Sequence, residues 1–198
     1  MGLGQANAKG RNSAFSRDIL KIEIQGPEEQ HYSVIDVPGI FRVKTEGVTT
    51  DEDRDMVQQM VAEYMNNPRS IILAVIPANI DTATQGILTM AKDADAEGNR
   101  TIGVLTKPDL VDKGAERAVL DLINGKKHKL KLGWYIVRNL SQEQLTSRAT
   151  NRDTLELDFF RTTAPWNTID EENVGIKALK ARLHGVLTSA IRREFPKV

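Results

Sequence analysis

Residues 103–114, GVLTKPDLVDKG, carry the densest chemical suggestion in the chain: an apolar run ends in Thr106-Lys107-Pro108-Asp109, and a charged helix start follows. Guanine presents an N1–H and an exocyclic amino group side by side, and a single carboxylate, that of Asp109, accepts from both. Adenine offers a ring acceptor there and no amino group, which leaves the charge unpaired, a mismatch worth discrimination on the order of a thousandfold. Lys107 would lay its aliphatic stem along the base, as long cationic side chains do on flat apolar surfaces. The same four residues also read as a turn with a helix cap.

Two other stretches join this one. In VIDVPGI (34–40) an apolar run leads to Asp36 and Gly39. The Asp36 carboxylate could hold a magnesium ion through water, and the Gly39 N–H could approach a phosphate oxygen closely, as a γ-phosphate sensor requires. A simple strand-to-turn exit fits the same residues. In YIVRNLSQ (135–142) Arg138, Asn139 and Ser141 follow a strand end, where a donor to a purine O6 is needed; either Arg138 or Asn139 could supply it, and a plain loop would also read this way. Taken together, Asp-x-x-Gly, then Lys-x-Asp about seventy residues on, then a polar trio about thirty residues further, are the stations of a GTPase in order.

The elements that must position these residues follow from apolar periodicity. DILKIEI (18–24) alternates, HYSVID (31–36) is a second apolar run, and the two predict a β-hairpin across QGPEEQ. SIILAVI (70–76), RTIGVL (100–105) and GWYIV (133–137) predict strands of the kind buried on both faces of a parallel sheet. Helical spacing appears over 51–64 (Met56, Val57, Met60, Val61, Tyr64), after an N-cap at Asp81 through Ile87, Leu88 and Ala91 to near Gly98, and over 114–124 (Ala118, Leu122, Ile123). From Gly175 a long amphipathic helix, about 175–195, carries Ile176, Leu179, Leu183, Leu187 and Ile191 and stops at Pro196. Strand–helix alternation after a hairpin predicts an α/β domain with a mostly parallel sheet, whose ligands belong beyond the carboxyl ends of the strands.

The bulk composition bounds the function class. In 198 residues, 27 Lys+Arg balance 27 Asp+Glu, so no global field argues for nucleic acid or membrane binding. There is no cysteine, which excludes disulfides and thiolate zinc. The longest apolar run, IILAVI (71–76), is too short to cross a bilayer, and the N-terminus has no secretory core. A cytoplasmic chain is the expectation. The run KKHKLK (126–131) suits a solvated loop better than a lipid contact, and His31, His128 and His184 lack metal-ligand spacing.

At IDVPGI, ILAVIPANIDTATQGILTMAKDADAEGNRTIGVLTKPDLVDKG and FFRTTAPW the chain resembles the G domain of the dynamin superfamily, most of all the fungal dynamin-like, Mx-like members. The likeness runs from about Phe15 to the C-terminus and is most specific over 71–114. It implies an α/β, P-loop GTPase-like fold, GTP or GDP with Mg2+ as ligands, and hydrolysis by water attack on the γ-phosphate, completed by G-domain dimerisation. It places Asp36 and Gly39 in the second switch, with Asp36 reaching the metal through water. Thr106, Lys107 and Asp109 would read the base with Asn139, while Asp112 would touch nucleoside or neighbour. Thr106 stands where most GTPases have Asn, as is usual in dynamins; the trio is shifted by one residue from the usual Asn-Arg-Ser-Gln, which keeps Arg138 in play. Implied partners are guanine nucleotide, a second G domain or intact relatives, and a membrane through parts outside this chain, but no nucleic acid. Membrane remodelling, antiviral-type defence and microtubule binding span the range of family roles.

One station is missing. No Gly-x-x-x-x-Gly-Lys-Ser/Thr occurs, since GQANAKGR (4–11) has the wrong order and spacing, and no first-switch threonine can be placed. A phosphate loop supplies several charge-assisted bonds of roughly 1.5–3 kcal/mol each. Losing three of them weakens binding thousands-fold on the affinity scale. The expectation is therefore a partial G domain over 13–198 after an unstructured leader at 1–12, ending at the hinge toward a bundle-signalling helix and inactive by itself. The rival is a non-catalytic fragment that acts as an interaction module or is a pseudogene-like product. In such a fold the strand before the phosphate loop lies between 31–36 and 70–76, so without it those two strands must pair with each other or leave open hydrogen-bonding edges.

Overall fold

The computed structural model describes residues 20–23, 26, 33–37, 50–81, 85–147 and 151–194. The chain divides after Asn67 into two units. In the first, helix α1 (Asp51–Asn66) opens on a reciprocal cap: Thr50 Oγ1 accepts from Asp53 N at 3.1 Å, and Thr50 N donates to Asp53 Oδ2 at 3.0 Å. Asp51, Glu52 and Asp53 place negative charge on the positive end of the helix. Asp53, Val57, Val61 and Met65 recur every four residues as its buried stripe.

Residues 20–23 and 33–37 form no strand, so the described part of the expected hairpin is not built. Leu20, Ile22, Val34 and Ile35 are all exposed. Alternation predicts a strand only where a second layer covers the apolar face, and a two-stranded hairpin without such cover is marginal. The leader at 1–12 and Gly39 lie outside the described residues.

The second unit is built on three parallel strands in sequence order, β1 (Ile72–Pro77), β2 (Thr101–Thr106) and β3 (Trp134–Ile136). Crossovers between parallel neighbours need helices, and these are α2 (Gly86–Ala94) and α3 (Glu116–Ile123). α2 begins five residues after Asp81, which is exposed and is not its cap; the helix stops at Ala94, before Gly98 at φ +63°. In α3 the inward residues are Val119, Leu122 and Ile123, and Ala118 faces water. Three helices follow: α4 (Gln142–Ser147), α5 (Arg152–Thr162) and α6 (Gly175–Glu194).

Each face of the sheet has its own core. Ala74, Ile76, Leu105, Trp134 and Ile136 pack with Leu88, Val119, Leu122, Phe160 and Trp166 on one side. Ile102, Val104, Tyr135 and Val137 pack with Leu179 of α6 on the other, flanked by Ile176, Leu183 and Val186. β2 and β3 are therefore buried on both faces, as expected. β1 is not. Leu73 and Val75 are 41% and 51% exposed, and among the described residues the outer edge of β1 has no partner strand. The result is an α/β unit with a three-stranded parallel sheet flanked by helices.

Candidate nucleotide-binding site

The sheet register decides which side chains can meet. Leu105 pairs with Ile136, and Val137 N donates to Leu105 O at 2.9 Å, so β2 and β3 end side by side. Ala78 N donates to Thr106 O at 2.7 Å, and the Thr106 hydroxyl donates to Ile76 O at 3.3 Å, which ties the end of β2 to that of β1. Thr106 thus anchors its loop to the sheet.

Beyond Thr106 the chain reverses sharply. Lys107 adopts φ +55°, ψ +47°, a left-handed conformation that costs a non-glycine residue roughly 1–2 kcal/mol. Pro108 is buried and starts a single 3-10 turn through Leu110, closed by Leu110 N donating to Lys107 O at 3.1 Å. The turn leaves Lys107, Asp109 and Asp112 on the surface. The turn reading of Thr-Lys-Pro-Asp is therefore correct as local geometry, and that geometry presents the two ionic groups to solvent.

Asp109 meets the next strand end. Arg138 Nε lies 3.8 Å from Asp109 Oδ1, with the Arg138 and Asp109 side chains 15% and 29% exposed. At that distance the two attract by charge without a formed hydrogen bond, and Arg138 Nε is buried with no hydrogen-bond partner. The guanidinium is held from behind: its Cζ sits 5.0 Å over the Phe159 ring, and Nη1 donates to Leu155 O at 3.5 Å. A cation steadies the carboxylate while its remaining acceptor sites stay accessible.

Asn139 is exposed, and its Oδ1 accepts from Arg152 Nη2 at 3.1 Å and Nε at 3.3 Å. With the oxygen engaged, the amide nitrogen is the arm left to donate. Ser141 N and Oγ bond Gln144 and cap α4, so Ser141 serves the helix start. Behind both arginines lies Glu156, almost completely buried, which accepts from Arg138 N at 2.9 Å and stands 3.7 Å from Arg152 Nη2. Glu156 and Arg152 are absent from the sequence-based candidates, as are α4 and α5. The sequence signal for α5 is Asn151 followed by Asp153, and Asn151 Oδ1 does accept from Asp153 N and Thr154 N.

The structure thus brings together Thr106, Lys107, Asp109, Arg138 and Asn139 at neighbouring strand ends. Asp112 lies on the same loop and engages none of the others; its backbone oxygen accepts from Ala115 N. Asp36 is exposed and belongs to the first unit. Among the described residues no group of three acidic or histidine side chains is placed to hold a metal ion. A concavity of about 570 Å³ between α5 and Arg138 shares only Arg138 with this group.

Comparison with known proteins gives the family. The model of the Dynamin family matches residues 3–108, and that of the Dynamin central region matches 118–198. The interferon-induced GTP-binding protein Mx2 of Homo sapiens is 33% identical over 193 residues, 94% of this chain and 26% of that protein. The Mx protein of Epinephelus coioides is 33% identical over 98% of this chain and 31% of its own length, and Mx2 of Bos taurus 35% identical over 94% and 27%. The chain therefore spans between 26% and 31% of these relatives. On a family model that matches more than half of its length, the chain belongs to the dynamin family.

Proposed function

We propose that the loop 106–109 and Asn139 form the guanine-reading end of a GTP site, within a dynamin-type G domain that binds and hydrolyses GTP. The observation that carries this reading is the Asp109–Arg138 pair at adjacent strand ends. Asp109 accepts from the base N1–H and amino group, and Lys107 covers the base plane. The Asn139 amide nitrogen donates to O6, and Arg138 holds Asp109 from behind rather than touching the base. Asp36 and Gly39 serve the phosphate and magnesium end. GTP binding in the names of the Mx relatives agrees with this assignment. A role in membrane remodelling, a cytoplasmic setting and assembly through G-domain pairing belong to the same proposal for the whole protein.

A second reading is favoured by the sequence itself, which holds no Gly-x-x-x-x-Gly-Lys-Ser/Thr. On that reading the chain is a G-domain module that pairs with intact relatives without turnover.

Titration of the purified chain with a fluorescent GTP analogue decides between the two. The first reading requires saturable binding, weakened at least about a hundredfold by Asp109→Ala and competed by GTP well above ITP or ATP. Inosine lacks the second amine, so equal competition by ITP refutes the two-donor contact with Asp109. No saturable binding leaves the interaction module as the function of this chain.

A further inference from the structure

The deepest charged side chain near the site is one that no base would touch. Glu156 of α5 is 5% exposed, and its two oxygens are divided between two distant elements. Oε1 accepts from Arg138 N at 2.9 Å, at the end of β3, and Oε2 accepts from Ile176 N at 2.9 Å, in the first turn of α6. Gly175 at φ +80° brings the α6 backbone so close that an added Cβ would lie 3.2 Å from Oε2. Arg152, 3.7 Å from Oε1, in turn grips Asn139 Oδ1. The start of α6 is pinned to β3 as well, through Asn173 Nδ2 donating to Trp134 O at 2.8 Å and the Ile136–Val174 bridge.

We infer that Glu156 is a positioning residue that couples the N-terminal turn of α6 to the guanine-reading loop, so that movement of α6 resets Arg138 and Asn139. A carboxylate can accept at both oxygens, and it also suits the positive end of a helix of this length. An amide at position 156 could accept from only one of the two backbone donors and would turn N–H hydrogens toward the other. The arrangement makes Glu156 a joint between one element that contacts the base and one that does not. The nucleotide half of this inference rests on the proposed guanine site; the mechanical half stands without it.

The test uses residue-resolved amide exchange and NMR shifts on the full chain. Glu156→Ala should speed exchange at both Arg138 and Ile176, roughly tenfold at each for loss of its charge-assisted bond, while the α3 amides 119–123 are unchanged. Gly175→Ala should shift the amides of Arg138 and Asn139, and Gly185→Ala, whose added Cβ meets nothing within 4 Å on the same helix, should not. In a Glu156→Ala background, adding Gly175→Ala should move residues 138 and 139 no further. Shifts at 138–139 that persist without Glu156, or that never appear, overturn the coupling, as does an exchange increase shared equally by α3. Where the parent chain binds the GTP analogue, Glu156→Gln should narrow its preference for GTP over ITP at least about threefold, which simple destabilisation would not do. A parent chain that binds no nucleotide refutes the proposed site and leaves the exchange results to decide the coupling.

Discussion

Gly103 is where the sheet leaves no room for a side chain, and substituting it tests the packing logic of the second unit. It lies in β2 directly opposite Trp134 of β3. An alanine Cβ built there falls 2.2 Å from Trp134 Cε3 and 2.4 Å from Cδ2. Carbon atoms rest at about 3.5–4.0 Å, so the indole would have to retreat by more than about 1 Å. It has nowhere to go: Trp134 is 1% exposed, and its Nε1 donates to His128 O at 2.8 Å. Overpacking costs about 1–3 kcal/mol, and a buried indole N–H torn from its acceptor adds about 1–3 kcal/mol. Gly103→Ala should therefore cost about 2–6 kcal/mol, a large share of the roughly 5–15 kcal/mol that holds a typical domain together. Both tryptophans, 134 and 166, lie in the second unit, so urea unfolding followed by their fluorescence reports on that unit. Gly185→Ala is the control of opposite sign, gaining roughly 0.5–1 kcal/mol of helix stability in open space. A loss below about 1 kcal/mol for Gly103→Ala, with unchanged native fluorescence, would show that β2 and β3 are not in the described register.

Three further outcomes follow from named contacts. Burial alone would raise the Asp95 carboxyl, but hydrogen bonds from Thr101 Oγ1, Arg100 N and Asn99 N, with the Arg100 charge, hold it below its ordinary 3.8. A carboxyl that titrates lower when folded stabilises fully above its unfolded value, and that contribution disappears as pH falls through the folded one. Asp95→Asn should cost about 1–3 kcal/mol at neutral pH and flatten the acid limb of a stability–pH curve below 3.8; an unchanged limb would count against it. Lys107→Gly relieves the positive φ and should leave thermal stability equal or higher by up to about 1 kcal/mol while weakening binding of the GTP analogue; a large loss of stability would contradict the turn geometry. Asn151→Ala removes the acceptor of two amides at the start of α5 and should cost about 1 kcal/mol in urea unfolding, with loss of protection at Asp153 and Thr154.

The sequence by itself determined the three strands, their parallel sense and the turn at 106–109. Unbroken apolar runs such as TIGVLT stay folded only when both faces are covered, and parallel pairing demands the crossover helices whose spacing is visible between them. It also carried the family likeness. It misjudged the burial of one face of β1 and, over the described residues 20–23 and 33–36, the strands expected in DILKIEI and HYSVID, where apolar character promised a burial that depends on a covering layer. Local pattern cannot say whether that layer is present, and Leu73, Val75, Leu20 and Val34 remain exposed. The inner support of the site was illegible for a related reason. Glu156 sits on a short helix whose apolar stripe is weak, 18 residues from Arg138 and 20 from Ile176. Nothing in local periodicity marks a carboxylate for burial. Only the chain folded in three dimensions brings two backbone donors and an arginine to it, and with them sets Asp109 beside Arg138 and turns the Asn139 oxygen inward to Arg152.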